Sequence, residues 1–350
     1  MDPVTHVLTG ACLGRAGLNR KTGLATLVLA LATEAPDIDV VTYWAGPVAG
    51  LQHHRGFTHT LLGAPFVAGV VVAGVYGVHR MRHARKSTAD SDKPVLAPNW
   101  KLLYLYALLG TLVHLFQDFT NNYGLRPFAP FYPKWYSWDI VFIVDPIMLL
   151  AMILALVLPA LMALVTEEIG SRKPQFRGRG AAITALICVA MVIFVRAFEH
   201  SRAVTALSSR TYRSEEPLRA SAFPEMVNPF AWNGVVETQD FFDILPVNSW
   251  TGEVDPQNEA VIRFKPPETP VTLAAKKSQL GRVYLDWAKY PFVSVEDVEG
   301  GRHAVHFEDL RFESAEEINE RRRPPLTATV VIGPQMDVEE MYTGRQKKSE

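Results

Sequence analysis

Cysteine is nearly absent from this 350-residue chain: only Cys12 and Cys188 occur, far apart and both in apolar stretches. That excludes a disulfide framework and a cysteine-rich zinc site. Basic excess is lacking too. The formal net charge is -1, which leaves no electrostatic footprint for nucleic acid. The opening MDPVTHVLTG lacks the basic region of a cleaved signal peptide. Long apolar runs are missing from everything after about Phe198, where the sequence turns polar and rich in proline and charge. Before that point they dominate. The expected organisation is a mainly α-helical membrane domain, residues 1–199, followed by a small β-rich soluble domain, residues 200–350.

A membrane helix needs roughly 20 mostly apolar residues. Segments 61–78, 102–116 with its flanking turns, 140–165 and 181–198 give about four transmembrane helices. Two shorter apolar segments, 4–18 and 22–35, predict a helical hairpin that enters the bilayer only in part or packs on the other helices. Lysine and arginine set the orientation. Arg80, Arg82, Arg85, Lys86, Lys93 and Lys101 follow the first span; Arg172, Lys173, Arg177 and Arg179 precede the fourth; Arg15, Arg20 and Lys21 occupy the hairpin turn. All are expected in the cytoplasm. Residues 36–60, 118–139 and the tail after about 199 then lie on the far side.

His79 and His83 fall in a basic loop and read as solvated. By contrast, His6, His53, His54, His59 and His114 map to the far face together with Asp37, Asp39 and Asp118. Asp2 suits a helix N-cap and Pro3 the first helical position, which puts His6 on the first turns. Pro36 ends an apolar helix, so Asp37 and Asp39 fall where the chain leaves the membrane. Carboxylates and imidazoles are common ligands for divalent metals. The stretch His53 to His59 holds three histidines, Arg55 and a Gly56 turn. Its imidazoles suit a metal, and the guanidinium suits a phosphate or carboxylate. His53 is the weakest candidate, because neighbours on a helix or strand point apart. His114 and Asp118 stand at i and i+4 on one helix face, and His114 lies inside an apolar span, where ionisable groups are functional by default. Each element also has a plain alternative: a hydrogen-bonded core histidine for His6, solvated or capping carboxylates for the aspartates, and a polar loop at the headgroups for 53–59. Asp139 and Asp145 read first as caps and second as partners of the ligands. Phe128, Phe131, Tyr132, Trp135, Tyr136 and Trp138 form an expected interfacial aromatic belt.

Thr5-His6, Pro36 to Asp39, His54 to His59 and the Gly-x-x-x-His-x-x-x-Asp of Gly110 to Asp118 occur in an order and spacing that resembles the YdjM-like family of bacterial inner-membrane proteins, described as membrane-bound metal-dependent hydrolases. The resemblance covers about the first 150 residues. It implies a site in which His6, Asp37, Asp39, His54, His59, His114 and Asp118 hold one or two divalent ions, zinc foremost, with Arg55 and Asp39 catalytic. More distantly the family is similar to zinc-dependent phospholipase C, which implies phosphoester hydrolysis. The chain departs from that pattern: it has no second His-x-x-x-Glu/Asp after His114, and its first residue is not a processed one whose amine ligates metal. Three ions are therefore not expected.

In the tail, segments 235–245, 260–264, 281–288, 303–307 and 327–332 read as strands. His303 and His306 fall on opposite faces of one strand, so they are not joint ligands. Asn228 to Trp232 reads as a corner, and 342–350 as frayed. Taken together, the expected protein is an inner-membrane, metal-dependent hydrolase whose partners are membrane lipids and a lipid-linked phosphoester, with its C-terminal domain extracytoplasmic. The alternative is a non-enzymatic, metal-stabilised scaffold or envelope-binding protein. A metal transporter is disfavoured, because the ligands gather on one face.

Overall fold

The computed structural model describes residues 1–85, 96–168, 178–319 and 326–344. Lys86, Lys93, Arg172, Lys173 and Arg177, which entered the orientation argument, lie outside them. The chain divides into two compact units: Met1–Asp39 with Arg55–Val195, and Val40–His54 with Arg196–Glu350. The expected boundary at 199 falls one turn from the observed one, while 40–54 groups with the later half.

The first unit opens with α1 (Pro3–Arg15), capped as expected by Asp2, whose side chain accepts the Thr5 N–H at 3.0 Å. A turn at Leu18–Arg20 leads to α2 (Ala25–Ala32). The two helices touch backbone to backbone. A methyl group at Gly14 would sit 2.6 Å from the Thr26 Cα, and one at Gly10 would sit 2.5 Å from the Leu29 carbonyl oxygen. Glycine four residues apart on one face permits that approach, as in small-residue packing between membrane helices. This is the expected hairpin. Next, residues Ala35–Ala45 wind as a 3-10 helix, α3 covers Pro47–His53, and Phe57–His59 form a tight 3-10 turn.

Helices α4 (Ala64–Arg85), α5 (Trp100–Thr120), α6 (Pro146–Glu168) and α7 (Arg179–Ser208) follow. Among the described residues, three segments, Ala64–Arg82, Trp100–Thr120 and Arg179–Ser208, are long and apolar enough to cross a membrane; Pro146–Met162 is a shorter apolar stretch of α6. In segment 140–165 the helix starts not at Ile140 but at Pro146. Asp145 caps α6 instead, its Oδ1 accepting the N–H groups of Ile147 and Met148 at 3.0 Å each, with Pro146 in the first helical position. That is the capping role expected for Asp145. Buried Val28, Leu29 and Ala32 of α2 pack with Leu103 and Ala107 of α5 and Ala68 and Val75 of α4.

In the second unit, an antiparallel sheet is built from β1 (Arg219–Pro224), β2 (Ala231–Glu237), β3 (Phe241–Asn248), β4 (Glu253–Val254) and β5 (Val261–Phe264) in the order β1-β2-β3-β4, with β5 also pairing β3. Ala203 and Leu207, on the last turns of α7, pack on Trp232, Phe241 and Leu245 of that sheet. Helices α8 (Pro270–Lys277) and α9 (Gln279–Trp287) come next. A four-stranded antiparallel meander follows: β6 (Pro291–Val298), β7 (Arg302–Asp309), β8 (Ala328–Ile332) and β9 (Val338–Thr343), with the short α10 (Ala315–Asn319) between β7 and β8.

Three tail expectations change. Segment 281–288 is helical, not a strand: Ser278 accepts the Gly281 N–H at 3.0 Å as N-cap, and Leu280, Tyr284 and Trp287 bury one helical face. Segment 235–245 is two strands of a hairpin, turned at Thr238, whose backbone N–H bonds the Phe241 carbonyl at 2.9 Å. Tyr342 and Thr343 belong to β9 rather than to a frayed end; residues 345–350 lie outside the described ones.

Candidate metal centre

Four ligand-type atoms of the first unit converge: Asp37 Oδ1, His59 Nε2, His114 Nε2 and Asp118 Oδ2 all lie within 4.8 Å of one another. Helix α5 supplies His114 and Asp118 one turn apart. The 3-10 helix after Pro36 supplies Asp37, and the turn Phe57–His59 supplies His59. His59 Nε2 lies 3.0 Å from His114 Nε2, 3.1 Å from Asp37 Oδ1 and 3.4 Å from Asp118 Oδ2. His114 Nε2 lies 3.6 Å from Asp37 Oδ1 and 3.5 Å from Asp118 Oδ2. Ligands at 2.0–2.1 Å around a tetrahedral zinc are separated by about 3.3–3.4 Å, and these five edges bracket that value.

Hydrogen bonds set which nitrogen of each ring carries the proton. Thr33 O can only accept, and it meets His114 Nδ1 at 2.8 Å. The His114 proton therefore sits on Nδ1, and Nε2 turns its lone pair to the centre. Asp39 Oδ2 meets His59 Nδ1 at 3.0 Å, and Thr58 Oγ1 in turn bonds that carboxylate at 3.1 Å. This is the carboxylate–histidine arrangement that orients metal ligands. Asp118 Oδ2 is buried without a hydrogen-bond partner. Once both histidines are neutral, four acceptors face one another with no donor among them, an arrangement that a cation resolves. The donor set fits a divalent metal. Without metal, a proton serves. Burial pushes the His59 imidazole pKa down, but the neighbouring carboxylates of Asp118, Asp37 and Asp39 outweigh it and raise it to about 10. Burial likewise pushes Asp37 up, and the hydrogen bond from His59 brings it below its ordinary value.

The remaining expected residues take other places. Asp39 holds His59 rather than joining the four atoms. His6 lies beside the centre, its ring centroid 4.0 Å from that of His114 and its Nε2 3.3 Å from Asp118 Oδ1. A relay sets its tautomer. Thr9 Oγ1 donates to Thr5 O at 2.8 Å, so it accepts from Gln117 Nε2 at 2.9 Å, and Gln117 Oε1 then accepts from His6 Nδ1 at 3.1 Å. His54 groups with the second unit, its ring 6.0 Å from that of Tyr43, and does not join the four. His53 is exposed.

Arg55, expected to hold the substrate anion, is buried and engaged within the protein. Its Nη2 pairs with Asp118 Oδ1 at 3.0 Å, and its Nη1 donates to Gly124 O at 2.8 Å and Asn121 Oδ1 at 3.3 Å. Its backbone is left-handed, φ 52°, which costs a non-glycine residue on the order of 1–2 kcal/mol; these bonds compensate. Arg55 thus positions Asp118. The Met1 amino group also pairs with Asp118 Oδ1.

Sequence reasoning missed Gln117, Thr33 and Glu34. Gln117 carried a legible signal, standing three residues after His114 on α5. Glu34 had none. Burial, with the charge of Asp37 adding to it, pushes its carboxyl up to about 8, so it is protonated near neutral pH.

Buried metal-type ligands at the ends of apolar helices define a membrane protein with a possible metal centre. Residues 1–203 match the family described as YdjM inner membrane protein, and the chain belongs to that family. It is also 25% identical over 358 residues to the uncharacterized protein YfhP of Bacillus subtilis, with 98% of this chain and 95% of the relative covered. No solved structure matches. The likeness to zinc-dependent phospholipase C is not shown by these comparisons.

Proposed function

We propose that the centre binds one divalent cation, zinc foremost, and that the protein is a membrane-bound metal-dependent hydrolase of phosphoesters. The observation that carries this is the convergence of four acceptor atoms, one each from Asp37, His59, His114 and Asp118. A divalent ion held there supplies Lewis acidity: it activates water near neutral pH and neutralises charge growing on a phosphoryl oxygen. The chain's own residues hold and orient. Thr33 O and Asp39 set the two imidazoles, and Arg55 keeps the Asp118 carboxylate aimed. Purified protein assayed for bound metal, then for cleavage of a phosphoester panel with and without chelator, tests the reading. Bound zinc and chelator-sensitive cleavage are expected; protein that holds no metal overturns it.

One observation favours a second reading, the metal-stabilised scaffold. Four protein ligands close a tetrahedron, as structural zinc sites do, whereas catalytic sites keep a position open. Asp37, with 17% of its side chain exposed, is the ligand that can yield its place. In the hydrolase, Asp37→Asn retains metal on three ligands; in the scaffold it sheds metal, and wild type turns over no ester.

The distribution of basic residues argues for a centre and a C-terminal unit outside the cytoplasm. Along α5, Lys101 and Asp118 stand 17 residues apart, about 26 Å of helix rise, which covers most of the roughly 30 Å thickness of a bilayer core. A reporter fused after Phe198 is expected to work only in an extracytoplasmic assay and one at Arg85 only in a cytoplasmic assay. A tail reporter active in the cytoplasm overturns this orientation.

A further inference from the structure

We propose that a groove on the lipid-facing side of α4 and α5 seats the hydrocarbon chain of the substrate, which makes the substrate class a long-chain lipid phosphoester; this rests on the hydrolase reading above. The groove has a volume of about 600 Å³ and is lined by Pro65, Phe66, Gly69, Val70, Ala73 and Tyr104. That size falls in the range of small-molecule sites. Its one polar group is satisfied, since the Tyr104 hydroxyl donates to Pro65 O at 3.3 Å. Gly69 keeps it open. A Cβ there would meet only Tyr104 Cε2, at 4.0 Å, so helix packing does not require glycine; the missing side chain leaves space instead.

Position selects the occupant. Both walls belong to segments long and apolar enough to span a membrane, and Phe66 and Val70 are 61% and 73% exposed. In a bilayer, hydrocarbon fills such a groove. One end touches the turn that carries a ligand of the centre: the Phe66 ring lies 5.9 Å from that of Phe57, itself 54% exposed and two residues before His59. From there, Pro65 to Ala73 runs about 12 Å along α4, away from the turn that carries His59. A phosphoester at the centre can thus lay its chain from Phe57 over Phe66 and Val70 into the bilayer interior. Contacts so far from the reacting bond supply binding energy that helps hold that bond in place.

The test uses full-length protein in detergent, with two readouts. The first is retention of dioleoyl phosphatidic acid by native mass spectrometry, without turnover. Gly69→Phe and Ala73→Phe are expected to lower retention at least fivefold, while Leu109→Phe, an exposed α5 position outside the groove, leaves it unchanged. The second readout is kcat/KM of the zinc-loaded protein for a long-chain and a four-carbon phosphate monoester. Filling the groove is expected to lower the long-chain value about tenfold and the short-chain value less than twofold. Unchanged retention in both groove variants overturns the proposal, as does equal loss on the two esters. A change of oligomeric state with unchanged retention also overturns it, because the groove then seats a second copy. If retention falls in the variants but wild type cleaves neither ester, the hydrolase reading fails and, with it, the substrate assignment; the groove stands as a lipid site only.

Discussion

Two clusters of buried charge, one in each unit, are handled in opposite ways. In the second unit, three buried carboxylates meet donors. Glu308 and Glu313 share the Arg263 fork at 2.8 and 2.9 Å, and Asp309 takes Arg311 at 2.7 Å together with the Lys289 and Tyr290 N–H groups at 2.8 and 3.2 Å. In the first, acceptors of Asp37, His59, His114 and Asp118 face each other. Burial alone therefore does not mark a site. The balance of donors and acceptors does, because a buried acceptor without a donor is costly unless a cation arrives.

The sharpest break of that comparison is His114→Ala. It is expected to abolish metal binding and any turnover, read by elemental analysis and ester cleavage; normal metal content would remove the centre. Arg311→Ala strikes the paired side. Orphaning one partner of a buried ion pair costs about 3–5 kcal/mol, read by denaturant unfolding through Trp287, whose ring lies under the Arg311 guanidinium at 4.8 Å, with metal content unaffected. Arg55→Ala and Asp39→Asn should each weaken metal affinity about ten- to a hundredfold, the usual effect of losing a group that orients a ligand. Arg55→Lys restores part of it, since a point charge does not reproduce the planar fork. Normal affinity with lost activity would return Arg55 to the anion-binding role expected from the sequence.

Acidity sharpens the comparison further. In the metal-free protein the His59 pKa is raised to about 10 from an ordinary 6.5. Its contribution is therefore fully present below pH 6.5 and lost as pH rises through 10. Metal replaces that proton, so the gap in Tm between loaded and metal-free protein should widen from pH 6.5 to 10; a gap independent of pH would show that no proton is displaced. The smallest effect is that of Glu34→Gln. A carboxyl raised to about 8 favours the fold at low pH and loses that advantage between pH 4.5 and 8. The metal-free variant should lack that part of the decline, seen as a higher Tm relative to wild type at pH 8 than at pH 5.

The apolar runs made the helices legible, and the i, i+4 spacing of His114 and Asp118 by itself put both on one helix face. Asp37 and His59 were legible as metal-type residues in one segment. What each neighbour does was not. Whether Asp39 meets Nε2 or Nδ1 of His59 depends on the 3-10 winding after Pro36. His54 turns away because the backbone reverses at Arg55, a left-handed position with no glycine to announce it. The partner of Arg55 is a carboxylate on another helix, beyond any local pattern. Segment 281–288 illustrates a common ambiguity: a short apolar run suits strand or helix, and the Ser278 cap decides.

The chain passes between its two units three times, because residues 40–54 belong with the later half. Helix α3, within that stretch, packs on α9 and β9. A fragment beginning at residue 200 therefore omits a piece of its own fold, encoded between the codons for Asp37 and His59. Genetic dissection of the tail needs a transplanted α3, or a synthetic peptide of residues 40–54 supplied in trans, before its stability or binding is judged.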